Sequence, residues 1–238
     1  MHRVSLERRR TVKTCLIIFS VTILYVLYHY QGSADFFMAY LSRARLFETA
    51  QARSYYYQWG MALILLGLVP LLIVLFGFRE RPEEYGFAFR HPLTTFLVAV
   101  AGMALATPLV YFGSTRMELA AVYPQVQNAA RTPGLFALSS LFYFLYYVGY
   151  EMCFRGFLFM GIREDVGEVK AVMISLAATV LLHLPQPQLE TLTAVIAGLV
   201  FPLVVLRLRS IWAVVLIHAY VGISLNYWII MRQGGFTG

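Results

Sequence analysis

Glu151, Arg155, His183 and His218 are the residues of this chain whose types and setting could do chemistry. The first two lie within the apolar run 134–162, and each histidine occupies a further apolar segment of its own. Of the twelve acidic residues, Glu151 is the one read at membrane depth, with Arg155 as its basic counterpart. A charge at the bilayer centre costs at least ~2.5 kcal/mol, so such side chains face the protein interior and mark sites. Four residues apart on a helix, Glu151 and Arg155 share one face and can neutralise each other. A carboxylate or a neutral imidazole can take a proton from water. The same acid and two histidines could instead form a two-histidine, one-carboxylate metal set, or relay protons. Each histidine alone would more simply be a satisfied packing residue. Three ionisable groups at one depth argue for a shared site.

The elements that must position them are membrane helices. The chain is 60% hydrophobic and 13% charged, far below the roughly 25% charged residues of soluble domains. Its apolar runs reach the roughly 20 residues that cross about 30 Å of hydrocarbon as a helix. None alternates with period two as barrel strands do. The expected fold is therefore an all-α polytopic bundle of about seven spans. The formal charge of +7 does not point to nucleic acid, because the arginines sit in short loops flanking apolar runs, where they set topology. Cys15 and Cys153 both fall in membrane segments and suggest neither a disulfide framework nor zinc ligands.

In order, a basic leader (Arg3, Arg8, Arg9, Arg10, Lys13) precedes a first span over 14–30, which lacks a signal-peptidase site and reads as uncleaved. Residues 35–57 mix Arg43, Arg45 and Arg53 with Phe36, Phe37, Tyr40, Leu46 and Phe47, which predicts an interfacial helix ending in Tyr55, Tyr56 and Tyr57. Spans follow over 59–78, 92–113, 133–162, 169–184, 192–206 and 211–231. Pro133 suits a helix start, a short surface helix is expected between Met117 and Val126, and the Ala194–Gly198 pair permits close helix contact. The organisation reads as an N-terminal membrane region (1–91), a core (92–231) and a tail (232–238).

With the N-terminus cytoplasmic, twelve basic residues fall on that side and six on the other, as the positive-inside rule favours. This suits the cell (inner) membrane. Counting about 1.5 Å per residue from the cytoplasmic helix ends puts Glu151 about 16 Å deep, His183 about 20 Å and His218 about 12 Å. One small wet cavity can then hold all three.

Glu151-xxx-Arg155-Gly156-Phe157-Leu158, then His183, then His218 on a last apolar helix resemble the three motifs of the CAAX protease and bacteriocin-processing family of intramembrane proteases, the Rce1 and Abi type. The family pattern is Glu-Glu-x-x-x-Arg, then Phe-x-x-x-His, then His-x-x-x-Asn or Asp. The resemblance covers about 92–231, and the Pro-Glu-Glu-Tyr-Gly-Phe stretch at 82–87 is also similar to a segment preceding the core in bacterial members. It implies hydrolysis of a peptide bond in a membrane-associated peptide or protein, without a cofactor. In that scheme Glu151 and His183 act on water, His218 holds the oxyanion, and Arg155 fixes Glu151 or its helix. The chain departs from the pattern at Tyr150 (first Glu), Thr179 (Phe) and Gly222 (Asn or Asp). Asn226 lies two turns, about 12 Å, beyond His218. The alternative function is that of an inactive relative that binds a membrane peptide or regulates another membrane protein. A transporter is less apt, since no internal repeat is visible.

Overall fold

The computed structural model describes residues 2–42 and 47–237. Among them the regular structure is helical throughout. The centre of the bundle is a single rod over 133–166, α-helical to Glu151, π-helical over Met152–Met160 and α-helical again to Val166. Its start follows from Thr132 and Pro133: the Thr132 hydroxyl accepts a hydrogen bond from the Leu135 amide at 3.2 Å, and proline fills the first helical position. Residues 147–160 are all buried.

Around this rod stand the helices His2–Gln31, 47–78, Pro92–Gly113, Glu168–His183, Gln188–Leu208 and Trp212–Arg232. The His218-bearing helix lies along Pro92–Gly113, and the His183-bearing helix pairs with Gln188–Leu208. In that pair Gly198 lies against Leu176: a Cβ there would come within 2.6 Å of the leucine side chain, so the expected small-residue contact is present. The 47–78 helix crosses the central rod where Gly67 and Gly149 meet. A Cβ on Gly149 would run into the Ala62 carbonyl, and one on Gly67 would sit 3.2 Å from the Gly149 Cα. Missing side chains are what let these backbones approach.

Five helices, Arg8–Gln31, Thr49–Phe78, Pro92–Gly113, Gln188–Leu208 and Trp212–Arg232, are long and apolar enough to cross a membrane. The chain is an integral membrane protein. The central rod and the 16-residue helix Glu168–His183, which carry Glu151 and His183, complete the bundle without meeting that measure.

The boundary between the expected interfacial helix and the second span moves. A short helical segment does follow the first span at 34–41, but residues 47–62 already belong to the long helix that continues to Phe78. Arg43, Arg45 and Leu46 lie outside the described residues. The aromatic cluster at 55–59 turns inward: Tyr56 stacks on Phe142 and Trp59 on Tyr143, each at 4.7 Å between ring centroids. Trp59 is 1% exposed. Burial against the central rod thus outweighs the preference of such residues for the headgroup level. The 114–132 connector forms one helical turn, Met117–Ala120, and a 3-10 turn, Gln127–Ala130, not a helix reaching Val126.

The 79–91 loop is tied to the core from both sides. Tyr85 is buried and donates to Glu80 Oε2 at 2.6 Å, which also pairs with Lys13 Nζ at 2.6 Å. Burial, with the Glu80 carboxylate adding to it, pushes the Tyr85 phenol well up from its ordinary range. Gly86 accepts from the Ile211 amide at 3.0 Å, and the Phe87 carbonyl accepts from Trp212 Nε1 at 2.9 Å. Phe87 in turn packs directly over Gly156, where a Cβ would collide with its ring. The loop therefore fixes the start of the His218 helix against the Arg155 turn.

Candidate functional site

Three helices converge on Glu151. The carboxylate is 0% exposed, and its two oxygens have separate partners. His218 Nδ1 lies 2.6 Å from Oε1, and Arg155 Nε lies 3.4 Å from Oε2. The Arg155 contact is the i,i+4 pair read from the sequence, closed across the change from α to π winding. Arg155 is likewise 0% exposed, and none of its guanidinium nitrogens has a hydrogen-bond partner, so the contact with Oε2 is an ion pair alone. Its guanidinium carbon sits 5.8 Å from the ring centroids of both Tyr150 and Phe201. Among the described residues, Glu151 is thus the one carboxylate paired with this arginine.

The imidazole protons follow from their partners. A carboxylate accepts only, so His218 donates Nδ1–H to Glu151, which in the neutral imidazole leaves Nε2 as the acceptor. His183 Nδ1 lies 2.7 Å from the Thr179 carbonyl, which can also only accept. In their neutral forms both histidines therefore present Nε2 as a proton acceptor. Both pack against Tyr150, whose ring meets His183 edge-on at 6.2 Å and His218 edge-on at 5.6 Å. Tyr147 packs against His218 at 4.4 Å and Phe201 meets it at 5.7 Å.

Every residue singled out from the sequence falls in this cluster. Glu151 contacts both Arg155 and His218, and His183 packs against the adjoining Tyr150. The three positions that depart from the motif pattern also line it. The Tyr150 hydroxyl lies beside the Thr179 hydroxyl and the Arg155 guanidinium without reaching hydrogen-bond geometry to either. Gly222 faces Tyr147 and Tyr143. Asn226 is buried two turns beyond His218, its Oδ1 without a partner. Among the described residues no three His, Cys, Asp or Glu side chains converge as metal ligands would.

Sequence reasoning missed two features. Glu190 is a second acidic residue within a candidate span, in the first turn of Gln188–Leu208, where it accepts a 2.8 Å hydrogen bond from the Tyr123 hydroxyl. The signal was Pro185 and Pro187, which start that helix rather than only ending the one before. The other is the column of tyrosines, Tyr143, Tyr147 and Tyr150, that the central helix turns toward the histidines. Their three- and four-residue spacing carries that signal.

Residues 132–223 match the model of the family described as Type II CAAX prenyl endopeptidase Rce1-like. The matched segment contains Glu151, Arg155, His183 and His218, and bears out the resemblance carried by the motifs. No match is found among curated proteins or among solved structures.

Proposed function

We propose that this membrane protein is an intramembrane endopeptidase that hydrolyses a peptide bond of a membrane-associated peptide or protein, its core at 92–231 and its N-terminus cytoplasmic. The observation that carries the reading is the 2.6 Å contact between Glu151 and His218 inside the Rce1-like segment. It supports a role for His218 different from the one the resemblance implied. With Nδ1–H held by a buried carboxylate, Nε2 is oriented to take a proton from water, the division of labour seen wherever an acid orients a catalytic imidazole. Glu151 orients and stabilises the imidazolium that forms. Arg155 keeps Glu151 ionised and in place as a positioning residue. His183, packed against the same Tyr150 ring, is suited to help orient that water.

The test is cleavage of a membrane-tethered reporter peptide by the purified protein in lipid nanodiscs. Glu151→Gln, His183→Ala and His218→Ala are each expected to lower the rate at least about 10²-fold, the scale of a lost general base. Full activity in all three variants would reject the assignment.

One observation favours a second reading, a catalytically silent relative that binds a membrane peptide. Tyr150 packs a buried ring against both imidazoles, where the motif pattern has a carboxylate. In that case the wild-type protein binds membrane peptides but leaves them uncut, and the three variants change affinity only.

A further inference from the structure

Tyr147 lies one turn before Glu151 on the central helix, with its ring against the His218 imidazole. Its hydroxyl fills the place that a side chain at 222 would take. A Cβ built on Gly222 collides with Tyr147 Oη and comes within 2.9 Å of Tyr143 Cε1. Gly222 is one helical turn beyond His218. A polar group therefore stands at that level of the site, but a neighbouring helix delivers it. Tyr123 gives its proton to Glu190 at 2.8 Å, and the Tyr143 hydroxyl lies beside those of Tyr123 and Tyr147. The hydroxyls of Tyr147, Tyr143 and Tyr123 form a chain that ends on Glu190, and because a hydroxyl proton rotates to suit its acceptor, Tyr147 can turn its O–H from Tyr143 to an oxygen in the site.

We propose that the Tyr147 hydroxyl, seated in the notch of Gly222, is the donor that holds the carbonyl oxygen of the substrate as it becomes an oxyanion. This deepens the hydrolytic reading and rests on it. As the water oxygen bonds to the carbonyl carbon, its proton passes to His218 Nε2. The carbonyl π pair moves onto oxygen, which accepts the hydrogen bond from Tyr147. On collapse the C–N bond breaks, and the leaving amine takes the proton from the imidazolium. Water is the only co-reactant. A phenol is a fitting donor there because it keeps its proton at neutral pH, and a fixed donor aimed at developing charge needs no reorganisation.

The experiment uses the full chain in nanodiscs and measures kcat and KM on the reporter peptide. It also measures Kd for the same peptide with a phosphinate, an anionic tetrahedral mimic, in place of the scissile amide. Tyr147→Phe is expected to lower kcat and phosphinate affinity by about 10²-fold, the effect of one oxyanion donor, with KM little changed. Gly222→Ala, which pushes the hydroxyl out of its notch, should give the same loss, and the double variant no further loss. The Tyr147→Phe ring still covers His218, so retained thermal stability separates this role from packing. If Tyr147→Phe keeps wild-type kcat and phosphinate affinity while Glu151→Gln abolishes cleavage, the Tyr147 assignment is overturned and the hydrolytic reading stands. If the wild type neither cleaves the peptide nor binds the phosphinate, both fall together.

Discussion

Glu151→Gln should destabilise the protein more than Arg155→Met, and the double variant should recover much of the loss. Both side chains are wholly buried and 3.4 Å apart. Removing one member of such a pair costs about 3–5 kcal/mol, because the other is left as an uncompensated charge. The two halves are not equivalent here. Arg155 has no hydrogen-bond partner on either Nη and cannot shed its proton, so Glu151→Gln exposes it to the full penalty. After Arg155→Met, Glu151 still holds His218, which can bind a proton and restore neutrality. The cost then falls to about 1–3 kcal/mol, the scale of a lost hydrogen-bonding partner. At about 2–4 °C per kcal/mol for a chain of this size, Glu151→Gln should lower Tm by roughly 6–20 °C. The double variant leaves neither charge and should regain at least about 2 kcal/mol over Glu151→Gln. Unfolding in detergent can be followed with a thiol-reactive dye, since Cys153 is buried in the same turn. The dye assay is run on a Cys15→Ser background. A double variant as unstable as Glu151→Gln, or two equal single losses, would refute the pairing.

Two further outcomes follow from the packing. Gly149→Ala should lower thermal stability sharply, by about 1–3 kcal/mol or more, because its methyl group meets the backbone at Ala62 and Leu63. Gly60→Ala, where nothing lies within 4 Å, should be neutral or raise Tm, by up to about 1 kcal/mol of helix propensity. At the loop, Glu80→Ala removes the acceptor of the buried Tyr85 hydroxyl and should cost about 1–3 kcal/mol. Lys13→Ala, which removes a partly exposed ion pair with Glu80 and cation–π contacts to Phe78 and Tyr85, should cost less, about 1 kcal/mol. Melting curves of the four variants check both, and equal losses at Glu80 and Lys13 would contradict the second.

The sequence made some of this legible and hid the rest for physical reasons. Apolar runs, the Thr132–Pro133 start and the isolated polar groups at depth are local signals, and the helices and the acid–histidine cluster follow from them. A hydropathy average cannot tell aromatic residues that face lipid headgroups from those that face another helix. Tyr56 therefore reads as interfacial, while in the fold it stacks half-buried on Phe142. Nor does a spacing rule foresee the π-helical stretch Met152–Met160, which begins directly after Glu151 and changes which faces Arg155 and Phe157 present. Depth could be counted from the helix ends, but facing could not. That His218, and not His183, is the histidine bonded to Glu151 is a property of how helices rotate against each other.

The departures from the motif pattern are better understood in pairs than singly. Gly222 lacks a side chain where the Tyr147 hydroxyl needs room, and Tyr150 brings a hydroxyl to where Thr179 has one. Each position that looks degraded along the chain meets a polar group from another helix in space. Restoring one motif residue alone therefore works against the fold. An asparagine at 222 would meet Tyr147, and a glutamate at 150 would set a second buried carboxylate beside Glu151 with only Arg155 to compensate both. Like charges in a shared buried site cannot all stay ionised. A chain that has lost its polar groups by drift would leave apolar gaps at these positions. This one places phenols in the same region, with Tyr147 against His218 and Tyr150 against both imidazoles.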